Sequence, residues 1–272
     1  MNKADLHVHT IMSDGMHTVE ELIKMCKKRG ITTIAITDHD TTKALQNIPS
    51  SSDVNIINGI ELSTTFDNKS VHILGYYINP EDKALNEKLK FLREKRKTRA
   101  KRMVEKLKEI EGINIDYEEI KEKNPKSAIG RVHIAKELFE KHYVKNIADA
   151  FEKYIGDDSP CFVRNEKLTI EEAVNLIKNA GGISFLAHPG LIKDMESYEE
   201  ILKYGIEGIE VFYPKHSEKQ RQFFYDLAIK NNLLISGGSD FHGLKMKGKN
   251  KLASAYLTDK YLNQIINYHN NI

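Results

Sequence analysis

The chain has 272 residues, 40% apolar and 29% charged, a soluble balance with enough apolar material for one barrel-sized core and an insertion. Its 41 basic and 39 acidic residues leave a formal charge of +2, which excludes polyanion affinity over the whole surface and makes any anion affinity local. With only Cys26 and Cys161 there is no disulfide framework or thiolate metal cluster to expect, no apolar stretch has membrane-spanning length, and the opening MNKADLHVHT lacks a signal-type apolar run; a reducing cytoplasm is the expected location.

In chain order, short β-rich runs occupy residues 3–10, 33–40, 55–62 and 71–78, and after a break 182–188, 208–213, 233–240 and 252–258. Several are apolar nearly throughout, as strands buried on both faces are, and amphipathic helices at 19–28, 170–179 and 217–231 alternate with them. This alternation predicts an α/β fold with a mostly parallel sheet or barrel. Thr18 with Glu21, and Thr169 with Glu172, have the spacing of capping boxes at two of the helix starts.

Residues 80–160 break the pattern with helices expected at 81–110, 117–123, 131–141 and 147–153, a helical insertion into a barrel made of 1–79 and 161–272. The insertion is expected to cover the mouth of the barrel. Residues 88–108 hold 11 Lys or Arg against Glu94 and Glu105, mostly a solvated helix face. Leu85, Leu89, Leu92, Met103, Leu107 and Ile110 form one stripe, however, and the positions that fill its gap are Arg96 and Arg99. Inward guanidiniums require an anionic partner, either acidic side chains or a phosphate. Arg131 and His133 open a helix, where free N–H groups also favour phosphate.

Six of the eleven histidines, His7, His9, His39, His72, His188 and His242, stand with Asp14, Glu61 and Asp240 mostly at or just beyond the carboxyl ends of predicted strands. That edge is where side chains from successive strands converge on a ligand. His72, at the start of its run, fits if that run turns back beside the previous strand as a hairpin through residues 64–69. His7-Val8-His9 presents two imidazoles on one face of a strand, and Asp240-Phe241-His242 repeats the spacing. The combination points to a metal centre. Asp38 and Asp40, which flank His39, are candidates to orient an imidazole or to form the turn. His216, beyond a strand end, is a candidate to bind substrate and protonate the leaving alkoxide.

The runs Asp5-Leu6-His7-Val8-His9-Thr10, Ser13-Asp14-Gly15, Thr37-Asp38-His39-Asp40, Gly59-Ile60-Glu61, His188-Pro189 and Ser239-Asp240-Phe241-His242 resemble, in order, the motifs of the PHP (polymerase and histidinol phosphatase) family of metal-dependent phosphoesterases. Gly130-Arg131-Val132-His133-Ile134-Ala135 and Glu210-Val211-Phe212-Tyr213-Pro214 further resemble its TrpH-like subgroup. The resemblance implies a distorted (β/α)7 barrel with three divalent ions at the carboxyl ends of its strands. It assigns His7, His9, Glu61 and Asp240 to the first ion, Glu61, His72 and His188 to the second with Glu61 bridging, and Asp14, His39 and His242 to the third. Many family members have histidine in place of Asp14, a departure that tilts the third site from Zn²⁺ toward Mn²⁺ or Fe²⁺.

Three such ions against Asp14, Glu61 and Asp240 leave roughly +3, the complement of a phosphate dianion and hydroxide. The implied activity is hydrolysis of a phosphate monoester or terminal phosphodiester by metal-activated water, with Glu61, Asp240 and His216 catalytic and Arg96, Arg99, Arg131, His133 and His216 on the substrate. The implied substrates are nucleotide 3′,5′-bisphosphates or the 5′ end of a short RNA, with no obligate protein partner. Histidinol phosphate is the alternative substrate, disfavoured by the basic insertion. A non-catalytic, metal-stabilised PHP module is the alternative role, disfavoured by the complete ligand set and the absence of an attached polymerase domain.

Overall fold

Seven of the eight expected strands form in the computed structural model, which describes residues 3–49, 53–67, 69–164, 167–192, 197–243 and 251–272. The chain begins β1 (Ala4–Val8), α1 (Val19–Arg29), β2 (Thr33–Ile36), β3 (Asn55–Phe66) and β4 (Lys69–Tyr76). It continues through α2 (Lys83–Glu111), α3 (Tyr117–Lys123), α4 (Arg131–Glu140) and α5 (Ile147–Ala150). It ends β5 (Leu168–Thr169), α6 (Ile170–Asn179), β6 (Ile183–Leu186), α7 (Ser197–Leu202), β7 (Gly208–Phe212), α8 (Glu218–Lys230), β8 (Leu234–Gly237) and α9 (Asp259–His269). Two compact units result, Met1–Glu87 with Lys167–Ile272, and Lys88–Glu166.

In the first unit the strands run in the order β1-β2-β3-β4-β6-β7-β8, with the short β5 pairing off this path beside β3. Pairing is parallel from β1 to β3 and from β6 to β8. It is antiparallel on both sides of β4, since the expected hairpin forms around Asp67 and sets His72 opposite Ser63. The sheet nearly closes on itself where Val8 bridges Phe241 and the N–H of His9 donates to the Phe241 carbonyl at 3.0 Å. Gly238 permits that approach, because a Cβ there would lie 2.4 Å from the Cβ of His7. The barrel interior is a packed core that includes Leu6, Ala35, Ile57, Leu74, Tyr76 and Phe185.

Both capping boxes are present, at Thr18/Glu21 and at Thr169/Glu172, each side chain bonding the other residue's backbone N–H. They start α1 and α6 at fixed positions against the sheet. The expected strand at 252–258 does not form. Lys251–Ser254 closes a turn and Ala253 adopts φ 56°, so the extended run reduces to one antiparallel rung between Leu257 and Ala4.

The second unit is helical, with a core of its own that includes Met103, Leu107, Ile120, Ile134 and Leu138. Most of the α2 stripe is buried as its phase requires, but Ile110 is half exposed. The chain turns through Gly112 directly after it (φ 66°), and Ile113 and Ile115 take the buried positions instead. The helix expected over 147–153 is α5 followed by a π-helical turn, Phe151–Ile155.

Candidate metal centre

All nine candidate ligands converge at one end of the barrel, with the fully buried Glu61 in the middle. Its Oε1 lies 2.7 Å from His72 Nδ1 and 2.9 Å from His188 Nε2. Its Oε2 lies 3.1 Å from His7 Nε2, 3.2 Å from His9 Nε2 and 3.1 Å from His39 Nδ1. The β3–β4 register explains the pairing with His72, since Ser63, two residues beyond Glu61, stands opposite it and the three side chains share a face. Asp240 Oδ1 approaches His9 Nε2 at 3.1 Å and His7 Nε2 at 3.5 Å. Asp14 Oδ1 lies 3.2 Å from His242 Nε2. The tight turn carrying Asp14 depends on Gly15, where a Cβ would fall 2.5 Å from the His9 carbonyl oxygen.

Three groups of donor atoms lie mutually within 4.8 Å: His7, His9, Glu61 and Asp240; His9, Asp14, His39 and His242; and His39, Glu61 and His72. Within the last, the family resemblance placed His188 rather than His39; His188 reaches the same Glu61 oxygen as His72. A cation fits this set. His9 Nδ1 and Nε2, Asp14 Oδ1 and His39 Nδ1 are buried without a hydrogen-bond partner, and such atoms are costly unless something coordinates them. Imidazole nitrogens and carboxylate oxygens in this proportion are ligands for divalent transition ions.

The electrostatics are those of a cluster that holds protons where cations would sit. Burial pushes the Glu61 carboxyl up, yet His39, His7 and His72 overcome it and hold it well below the usual carboxylate range. Burial also opposes ionisation of Asp14 and Asp240, which their surrounding histidines, His242 foremost, reverse in the same way. Burial disfavours charge on His7 and His9, but Glu210 and Glu61 raise His7, and the close carboxylates of Asp240 and Glu61 carry His9 up to about 10. His39, by contrast, is lowered to about 3, chiefly by burial. Cation uptake near neutral pH must displace the protons on His7 and His9, so calorimetric titration with Mn²⁺ in buffers of different ionisation enthalpy is expected to show release of more than one proton per protein. Uptake with no buffer dependence would contradict the assignment.

Other polar groups fix the ligand-bearing loops. Asp38 accepts from the Thr10 N–H at 2.7 Å and from the hydroxyls of Thr10 and Ser13, and Asp40 accepts from the Ser63 N–H and hydroxyl. They anchor turn and loop, the second of the two roles expected for them. Asp5 accepts from Ser239 N–H and hydroxyl and from Ala253 N–H, tying β1 to the segment that carries Asp240. His188 (φ 27°) and Asp240 (φ 52°) both sit in the left-handed region, a strain of about 1–3 kcal/mol each that the surrounding structure must offset.

His216 does not serve as the expected acid. It is buried, its Nδ1 is 2.9 Å from the Val211 carbonyl and its Nε2 accepts from the Gly190 N–H at 3.1 Å, so both nitrogens are committed to the backbone and the tautomer is fixed. Two residues of the 210–214 motif, which carried no role in the sequence reading, face the site instead. Glu210 is fully buried beside His7 and His188, and the Tyr213 hydroxyl donates to Asp240 Oδ2 at 3.0 Å. The signal was a carboxylate in an otherwise apolar parallel strand.

The basic candidates belong to the second unit. Arg99 Nε donates to the Val163 carbonyl at 2.7 Å and the guanidinium stacks over Phe162. Burial, Arg131 and Arg96 together pull its pKa down to about 10, and Asp157, itself bonded to Arg131 at 2.7 Å, opposes them only in part. The guanidiniums of Arg96, Arg99 and Arg131 thus crowd the start of α4, where Asp157 bonds that of Arg131. His133 is buried there and its Nδ1 accepts from the Gly130 N–H, capping the helix.

Comparison with known proteins gives this geometry a lineage. The chain is 34% identical over 252 residues to a 3′,5′-nucleoside bisphosphate phosphatase of Chromobacterium violaceum, covering 89% of this chain and 88% of that one. It is 32% identical over 250 residues to the 5′-3′ exoribonuclease Rnm of Escherichia coli, covering 88% and 84%. A Bifidobacterium adolescentis structure described as a metal-dependent phosphoesterase superposes with a TM-score of 0.86 at 27% identity, over 98% and 96% of the two chains. The PHP domain model matches residues 5–203, the stretch that carries His7, His9, Asp14, His39, Glu61, His72 and His188. With strand order, ligand-type cluster and sequence in agreement, the chain belongs to the PHP domain family.

Proposed function

We propose that the protein is a metal-dependent phosphoesterase that hydrolyses a phosphate monoester or terminal phosphodiester of nucleotides, in 3′,5′-bisphosphates or at the 5′ end of 5′-phosphorylated short RNA. The observation that carries this reading is the convergence of six imidazoles with Asp14, Asp240 and the central Glu61, several of whose buried donor atoms make no hydrogen bond. His7, His9, Glu61 and Asp240 would hold one ion, Glu61, His72 and His188 a second, and Asp14, His39 and His242 a third, with Mn²⁺, Fe²⁺ or Zn²⁺ suited to these donors. Bound ions at such a site acidify water and neutralise phosphoryl oxygens. The chain's own part is to fix the donors: His242 Nδ1 is 2.9 Å from the Asp240 carbonyl, which points its Nε2 at Asp14, and Tyr213 holds the outer oxygen of Asp240.

The helical unit Lys88–Glu166 is the inserted, substrate-recognising part in this reading, and Arg96, Arg99 and Arg131 bind the anionic groups of the substrate. The nucleotide substrates named for the C. violaceum and E. coli relatives support that choice. Arg99→Ala and Arg131→Ala are each expected to lower kcat/KM about ten- to a hundredfold, the worth of a charge-assisted hydrogen bond to phosphate, with metal content unchanged. Lower melting temperatures with unchanged kinetics would make both residues structural.

Release of phosphate or of mononucleotide by the metal-reconstituted protein tests the whole reading. The substrates are a nucleoside 3′,5′-bisphosphate, a 5′-phosphorylated oligoribonucleotide, a nucleoside 5′-monophosphate and histidinol phosphate. Turnover of the first two is expected. Turnover of histidinol phosphate alone would overturn the substrate class, and metal binding with no turnover would favour the non-catalytic module.

A further inference from the structure

Strand β7 supplies no member of the three groups able to hold a cation, yet it places a fully buried carboxylate behind them. Glu210 Oε1 lies 3.0 Å from His7 Nδ1, and Glu210 Oε2 accepts from the His188 N–H at 2.7 Å. The other nitrogen of His7 faces Glu61 and Asp240, and the side chain of His188 reaches the opposite oxygen of Glu61. One carboxylate therefore addresses two candidate ligands on either side of the hub, one oxygen to each.

We propose that Glu210 is a positioning residue for the metal centre: it fixes the tautomer of His7 and the backbone of His188, so that both present lone pairs toward Glu61. An ionised carboxylate only accepts hydrogen bonds, so the imidazole beside it keeps its proton on Nδ1 and leaves Nε2 free for a cation. The second oxygen restrains His188 at φ 27°, a backbone conformation that a non-glycine residue holds only when its surroundings enforce it. The inference rests on the reading that these histidines hold metal.

Glu210→Gln keeps the volume but has one acceptor oxygen for two donors. If the oxygen serves His188, the amide NH₂ faces His7 Nδ1 and drives the proton to Nε2, where it blocks coordination; if it serves His7, the NH₂ opposes the His188 N–H. The test is titration of metal-free full-length protein with Co²⁺, following its visible absorption bands and, by dialysis, the bound metal. Glu210→Gln is expected to bind Co²⁺ about ten- to a hundredfold more weakly, with altered band shape. Glu207→Gln is the control, because the Glu207 side chain bonds only Ser184 and Tyr268 among the contacts described and the change should leave affinity and spectrum as in the parent. Should Glu210→Gln not fold, Glu210→Asp, too short to reach both partners, replaces it and must also bind more weakly. Parental affinity and spectrum in a folded Glu210 variant would overturn the proposal. A parent protein that takes up no Co²⁺ would instead overturn the metal reading beneath it.

Discussion

Glu61→Gln is expected to lower turnover by at least about a thousandfold and to reduce the bound metal measured by elemental analysis. Five histidines address the two Glu61 oxygens at 2.7–3.2 Å, and the amide would turn one of those acceptors into a donor while removing a unit of charge. On the proposed assignment the effect falls on two ion positions at once, and a loss of about 4 kcal/mol of charge stabilisation corresponds to that factor. Apolar packing near Glu61 is unchanged by so isosteric a substitution, so circular dichroism should report a folded protein. Parental activity with full metal content would remove Glu61 from the bridging role.

Stripping metal is expected to lower the melting temperature by about 8 °C or more, and adding Mn²⁺ to restore it. A ligand at a thousand times its dissociation constant stabilises the native state by about 4 kcal/mol per site, and for chains near this size each kcal/mol is worth about 2–4 °C. The gap should depend on pH with a definite sign. In the metal-free protein His7, His9 and His242 have pKa values raised above the ordinary imidazole value, His9 to about 10. Their protonation stabilises the fold fully below the unfolded pKa near 6.5, and that contribution is lost as pH rises through the raised values. The stripped protein should thus weaken between pH 6.5 and 10, while the loaded protein, whose histidines are already deprotonated on metal, should not. Differential scanning fluorimetry with and without chelator across that range measures it, and a gap independent of pH would contradict proton displacement.

Much of this centre was legible before any coordinates. His7-Val8-His9 and Asp240-Phe241-His242 declare a shared face because strand side chains alternate with period two, and their apolar flanks declare the strands. The capping boxes at Thr18 and Thr169 fixed two helix starts through bonds that span only three residues. Local chemistry decided these features, so local sequence carried them. The run 252–258 looked equally strand-like, but whether an apolar run becomes a strand depends on a neighbour offering hydrogen bonds along its length, and Ala4 offers one rung.

The roles of His216, Asp38, Asp40 and Glu210 were decided only by tertiary structure. A histidine beyond a strand end looks the same in sequence whether its nitrogens are free or, as in His216, taken by Val211 and Gly190. Asp38 and Asp40 sit beside His39 in the chain but point to Thr10, Ser13 and Ser63, partners up to 28 residues away. Glu210 meets His7 across 203 residues. A buried polar group must be satisfied by whatever the fold brings within about 3 Å, and that identity is a property of strand order and register rather than of neighbouring residues. The sequence by itself determined which side chains have ligand chemistry; the closure of the sheet decided which of them meet, and which ones stand behind to hold them.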